Sequence, residues 1–137
     1  MAFVKSVPTE EESVAAVMRR YPQMGMPMME FSEVILRTGE CAFTHEEREL
    51  IGAFASGLNN CTYCYSTHKA TAEAFGVPEN LLDSMVDDLE TAGVDERMKP
   101  VLRYVRKLTL TPSKMVQADA DAIFDAGWDE EQREITE

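Results

Sequence analysis

The sequence predicts an all-α fold, a single-domain helical bundle. Two observations carry that expectation. Apolar residues recur at three- and four-residue spacing along most of the chain, with helix-start and helix-stop residues between those stretches. No stretch gives a convincing strand by the two-residue alternation of apolar and polar residues. At 137 residues the chain is long enough to bury a core as one domain. It carries no linker or low-complexity tract.

Thr9 and Glu12 fit a capping box, in which a hydroxyl and a carboxylate each satisfy a backbone N–H at a helix start. The helix they open is expected to run to about Arg20, with Val14, Val17 and Met18 inward. Tyr21-Pro22 ends it, because the residue before a proline avoids the helical region. A second helix is expected from about Pro27 to Arg37, with Met28, Phe31, Val34 and Ile35 at core spacing and Gly39 as its stop. Cys41 falls in the loop beyond it.

Thr44 and Glu47 form another capping box and start a third helix, whose apolar stripe is Leu50, Ile51, Phe54 and Leu58. The small residues Gly52, Ala53, Ala55, Ser56 and Gly57 let other backbones come close. Asn59-Asn60 breaks this helix, and either asparagine suits the cap of the next one. Cys61 then belongs to the first turn of a fourth helix that runs to about Phe75 and closes at Gly76. Pro78 suits the first position of a fifth, whose face is Leu81, Leu82, Met85, Val86 and Leu89, ending near Gly93. Asp95 caps a sixth, with Val101, Leu102, Val105 and Leu108 inward and Pro100 moving its start toward Lys99. After a turn at Thr111-Pro112 come a short helix over Ala118–Phe124 and, at Asp129 and Gln132, the capped start of one more.

Composition narrows the function. Thirteen basic against 25 acidic residues give a net charge of −12, which argues against nucleic acid as a partner. No apolar run has membrane-spanning length, and MAFVKSVPTEEE lacks a signal-peptide core, so a cytoplasmic location is expected. Three cysteines make an odd count, unlike a secreted disulfide framework. In a reducing compartment a close pair points to catalysis or metal binding.

That pair lies in ELIGAFASGLNNCTYCYSTH, residues 49–68. Cys61, Cys64 and His68 stand at steps of three and four, which puts two thiols and an imidazole on one helix face. Reversible disulfide chemistry needs those groups: a nucleophilic thiolate, a resolving thiol and a proton carrier. Glu49, on the preceding helix, is placed to fold back over them as a base, and its bland alternative is a solvated position beside Arg48. Zinc is the main competing use, with Cys41, Cys61, Cys64 and His68 as ligands, but Cys41 is distant and brings no second ligand knuckle. A thioredoxin-like context needs strands around the motif. Of the two thiols, Cys61 lies nearer the helix N-terminus, where the dipole favours thiolate.

Glu49, Cys61, Tyr63, Cys64 and His68, with the flanking REL and SGLNNC and the H-K-x-x-A-x-x-x-G that follows, resemble the alkylhydroperoxidase D branch of the carboxymuconolactone decarboxylase superfamily, in its peroxidase-related members. The resemblance runs from about residue 10 and is most specific over residues 47–76. It implies an all-α, homo-oligomeric protein (dimer, trimer or hexamer) built around a helical hairpin that carries the C-x-x-C. It implies reduction of hydroperoxides by a cysteine pair, without cofactor or metal. The pair is re-reduced by a dithiol such as protein-bound lipoamide. By position, Cys64 is implied as the peroxidatic cysteine, Cys61 as the resolving one, Glu49 and His68 as a proton relay and Tyr63 as a supporting residue. Related sequences continue for another helix, so the domain is expected to lack a C-terminal one. A decarboxylase-like enzyme is the alternative within the superfamily, although its chemistry has no use for a dithiol. A redox-sensing helical module that uses the same thiols without turnover is the non-enzymatic alternative.

Overall fold

The computed structural model describes residues 13–129, all in helices and the turns between them, with no strand among the described residues. The capping pair Thr9/Glu12, and Gln132 of the last predicted helix start, lie outside that range. The chain divides into two compact units at Gly39.

The first unit holds α1 (Val14–Arg20), α2 (Pro22–Glu33) and a π-helical turn over Val34–Thr38. Ser13 caps α1, its Oγ accepting the Ala16 N–H at 3.1 Å. Tyr21 carries the chain out of α1, as the following proline requires. α2 begins at Pro22 rather than near Pro27. Proline is favoured at the first helical position, where no N–H partner is lost, and Pro22 meets that condition five residues earlier. Pro27 lies inside the helix. Gly25 permits close packing of α2 on α1, since a Cβ there would stand 2.4 Å from the Met18 carbonyl oxygen. The inward assignments in this unit need correction. Val14, Met28, Phe31, Val34 and Ile35 are all exposed, and the buried residues are Ala16 and Gly25. The spacing groups these side chains on a face, but no described element of the unit covers it.

The second unit contains α3 (His45–Leu58), α4 (Thr62–Ala74), α5 (Leu81–Asp87), α6 (Met98–Leu110), a 3₁₀ turn at Pro112–Lys114 and α7 (Gln117–Asp125). α3 is its centre, packing against α4, α5 and α6. Leu50 and Phe54 of its predicted stripe are buried, with Ile51 and Leu58 at the edge of the core. Leu82, Met85 and Leu89 meet them from the α5 region, and Met98, Val101 and Leu102 from α6.

Three details differ from the sequence expectation. α5 starts at Leu81, and Pro78 stands in the turn before it. α6 starts at Met98, which puts Pro100 third in the helix, among the N–H positions that have no intrahelical acceptor. Asp95 does accept the Arg97 N–H, at 2.8 Å, just ahead of that start. Leu108 is exposed, one turn beyond the part of α6 that the core covers. Trp128, which carried no sequence signal of its own, is buried near the end of the described chain. Its indole N–H donates to the Arg97 carbonyl at 2.8 Å, and its ring lies 4.5 Å from that of Phe43.

Candidate active site

The site is built on the α3–α4 hairpin. At the head of α3 the capping box closes in both directions: Thr44 Oγ1 accepts the Glu47 N–H at 3.3 Å, and Glu47 Oε2 accepts the Thr44 N–H at 2.9 Å. With the start of α3 fixed, Glu49, Leu50 and Ala53 face the interior. Glu49 is 1% exposed, so the solvated reading of this residue fails.

Between the helices Asn60 takes φ of +54°, in the left-handed region that asparagine tolerates better than most residues. The turn uses up the asparagine, and the capping role falls to the next residue. Cys61 is therefore the N-cap of α4 rather than a member of its first turn, and its Sγ accepts the Cys64 N–H at 3.3 Å. Neither asparagine caps the helix. Cys61 and Cys64 are joined as a disulfide, with their Cα atoms 5.4 Å apart.

His68 lies one turn beyond Cys64 on the same face of α4. Its Nδ1 is 2.7 Å from Glu49 Oε2, across the hairpin. In the tautomer that carries its proton on Nδ1, the imidazole donates to this carboxylate and leaves Nε2 to take or give a proton. The His68 side chain is 26% exposed and Glu49 is almost wholly enclosed, so the pair links the interior to the surface. Gly52, one turn along α3 from Glu49, makes room for the ring. A Cβ at this position would sit 3.1 Å from His68 Nδ1.

Four of the five predicted residues thus gather in two bonded pairs, Cys61 with Cys64 and Glu49 with His68. Glu49 meets the imidazole across the hairpin. Tyr63 is exposed in the first turn of α4, and its carbonyl oxygen accepts hydroxyls from Ser66 and Thr67 at 3.1 and 2.9 Å. Cys41 is exposed, with its thiol directed at the Phe43 carbonyl 3.5 Å away. Among the described residues no three His, Cys, Asp or Glu side chains group as metal ligands.

The sequence reading missed a second polar group on the other side of the disulfide. Tyr65 donates its hydroxyl to Asp83 Oδ1, and Lys69 Nζ donates to Asp83 Oδ2 at 2.6 Å. The Lys69 ammonium, and after it the Tyr65 hydroxyl, hold the Asp83 carboxyl below its ordinary range. Burial and the bond to this carboxylate push the Tyr65 phenol well above its own, so it stays protonated. Tyr65 and Lys69 follow Cys61 at steps of four on α4, which a sequence reading could have used. Asp83 comes from α5, and no local spacing announces it. Tyr65 and Asp83, with Cys61, Asn60, Val86 and Asp87, line an open cleft of about 290 Å³.

No protein-family model matches the chain, and no curated protein does. Solved structures do. One is the alkylhydroperoxidase AhpD core of an uncharacterized peroxidase-related protein from Ralstonia eutropha JMP134, with a TM-score of 0.78 at 20% identity, covering 86% of this chain and 62% of that one. Another is an uncharacterized peroxidase-related protein from Silicibacter sp. TM1040, with a TM-score of 0.78 at 21% identity, covering 85% and 61%. The chain thus spans about six-tenths of the length of these proteins. At such identities the likeness speaks for architecture alone, and it agrees with the hairpin described above: the chain has the all-α fold of the alkylhydroperoxidase D core.

Proposed function

We propose that the protein is a thiol-dependent peroxidase that reduces hydroperoxides through a Cys61/Cys64 dithiol–disulfide cycle, with Glu49 and His68 as its proton relay. One observation carries the reading: a disulfide at the head of α4 stands a single helical turn from an imidazole that is bonded to an enclosed carboxylate. The peroxidase-related proteins that share the fold add support of a coarser kind.

In the reduced state, His68 accepts the Cys64 proton while Glu49 stabilises the resulting imidazolium. The Cys64 thiolate attacks one peroxide oxygen and the O–O bond breaks. The other oxygen leaves as alkoxide and takes a proton from His68, giving an alcohol and a Cys64 sulfenic acid. Cys61 then attacks Cys64 Sγ, water departs, and the disulfide forms. Two thiols, or one dithiol such as protein-bound lipoamide, return the pair to its reduced state. Cys64 is the peroxidatic residue in this scheme, as the family resemblance implies, and its four-residue step to His68 supports that choice. Tyr63 has a supporting role at most. A pair that must be re-reduced every cycle suits a reducing compartment, so we place the protein in the cytoplasm. No described helix is long and apolar enough to cross a membrane. Self-association belongs to the same proposal.

Mapping the thiols during turnover tests the cycle. The reduced protein is treated with a mild hydroperoxide, alkylated, and its blocked cysteines identified. Cys61 and Cys64 are expected to become blocked together, with Cys41 remaining alkylatable. Peroxide consumption with both still alkylatable would overturn the reading. Cys64→Ser should abolish the reaction, whereas Cys61→Ser should react once and stall as a sulfenic acid or mixed disulfide. The reverse pattern would make Cys61 the nucleophile.

A further inference from the structure

The two sulfurs of the disulfide face different surroundings. Cys64 is the cysteine one turn from His68 and Glu49. Cys61 lines the open cleft, together with Gly57, Asn60 and Tyr65, and Asp83, Val86 and Asp87 of the α5 region form its far wall. This cleft has no part in the peroxide step described above.

We propose that the cleft is where the reducing thiol enters, that it delivers the thiol to Cys61, and that Asp83 and Asp87 select neutral or cationic carriers over anionic ones. The inference rests on the dithiol–disulfide cycle. The incoming thiolate attacks Cys61 Sγ, forming a mixed disulfide and breaking the Cys61–Cys64 bond. Cys64 Sγ leaves with the electron pair and takes its proton from His68, so the leaving group is released where the relay can serve it. A second thiolate attacks the carrier's sulfur in the mixed disulfide, releasing the Cys61 thiolate. Overall, two thiols are oxidised to one disulfide and the protein pair gains two electrons and two protons.

Charge selection follows from where the two fields act. The N-terminus of α4 favours negative charge at the attacking sulfur, and it does so for every thiolate equally. Asp83 and Asp87 lie on the wall that the body of the carrier meets. Asp83 stays ionised, held so by Lys69 and Tyr65, and Lys69 offsets part of its field. Lys69 is itself within 4.0 Å of Glu73, and it is not among the lining residues. Asp87 lines the cleft on α5 and is exposed. Each carboxylate should change the rate about threefold between a cationic and an anionic carrier, the size of a screened interaction across several ångströms of water.

The test reduces the intact oxidised protein, without peroxide, using cysteamine, 2-mercaptoethanol and 3-mercaptopropionate. Their rates are compared per thiolate, each divided by the same thiolate's rate with a small uncharged disulfide, which removes differences in intrinsic nucleophilicity. We expect the cationic thiol to lead and the anionic one to trail by about tenfold at low salt, with the spread collapsing near about 0.5 M salt. Asp87→Asn should narrow the spread to about threefold. Asp125→Asn, which removes the same charge from α7 outside the cleft, should leave it as it was. Equal rates for the three thiols in the unaltered protein would overturn the inference while leaving the cycle standing. A spread that Asp87→Asn leaves intact, or that Asp125→Asn narrows as much, would overturn it too, by tracing the effect to the chain's net charge of −12. A pair that none of the three thiols reduces would remove the cycle itself, and this inference with it.

Discussion

Helices α2 and α3 have nearly the same sequence signature and opposite fates. Each carries large apolar residues at three- and four-residue spacing. On α3 the stripe is the centre of a core, with Phe54 wholly enclosed by its neighbours. On α2 and the turn after it, Met24, Met28, Phe31 and Ile35 stand exposed. The difference lies in partners. α3 is followed by a tight Asn-Asn turn that folds α4 onto it, and α5 and α6 close over its other side. Among the described residues of its own unit, α2 packs against the seven residues of α1 and the turn that follows α2 itself. Periodicity states which side chains share a face. Whether that face is covered depends on what the rest of the chain brings to it, and the candidate site's two pairs lie where it is covered.

The strongest test of that contrast is chemical. Glu49 can act on His68 because α3 holds it inside the hairpin, 2.7 Å from Nδ1. Glu49→Gln keeps the shape and a hydrogen bond but removes the carboxylate charge that steadies the His68 imidazolium in the proposed relay. The rate of thiol oxidation by peroxide should fall by roughly 10²–10⁴ at neutral pH, the usual scale of general base catalysis. Raising the pH should recover part of the loss, because the thiol then ionises without help. An unchanged rate at neutral pH would reduce Glu49 to a structural role, as would a loss that higher pH does not relieve.

Stability should show the same asymmetry. Phe54→Ala opens a cavity at the centre of the α3 core and should cost about 3–5 kcal/mol, read as a fall in the denaturant midpoint. A loss under about 1 kcal/mol would mean that the core around α3 closes over the gap, and the contrast with α2 would lose its footing.

These two residues also mark how far the sequence could be read. The helices, the Thr44 capping box and the stripe of α3 were legible because each depends on neighbours within one or two turns. The step from Cys61 to Cys64 to His68 was legible for the same reason. Glu49 was placed on the correct helix, but its bond to His68 depends on how sharply Asn60 turns the chain, which no spacing encodes. Asp83 was invisible, since it reaches Tyr65 and Lys69 from a separate helix. The inward reading of Val14, Phe31 and Leu108 failed where periodicity was asked to supply a partner.

A smaller effect tests the fit between the two helices of the hairpin. Gly52→Ala improves helix propensity by up to about 1 kcal/mol, yet its methyl would press on the His68 ring from 3.1 Å. Stability should therefore change by less than about 1 kcal/mol in either direction. Activity should fall roughly tenfold, because a ring displaced by a few tenths of an ångström transfers protons less well. Activity at the level of the unaltered protein would show that the imidazole tolerates a looser seat than the hairpin gives it.

The smallest effect on folding is expected at Phe31, on the uncovered face. Its side chain is 67% exposed, so little of the roughly 1.5–3 kcal/mol that burial of a large apolar side chain supplies is realised there. Phe31→Ser should shift the unfolding midpoint by no more than about 0.5 kcal/mol, against several for Phe54→Ala. The same variant has a second readout, because a face rich in methionine and aromatic side chains suits association between copies of the chain. Light scattering at micromolar concentration should find the unaltered protein self-associated and Phe31→Ser more dissociated, with the Cys61/Cys64 cycle still running. A monomer in both cases would remove the proposal of self-association and leave the α2 face simply solvated. A loss of several kcal/mol in Phe31→Ser with no change of assembly would show instead that the residue is packed within its own chain, and the contrast between α2 and α3 would fall.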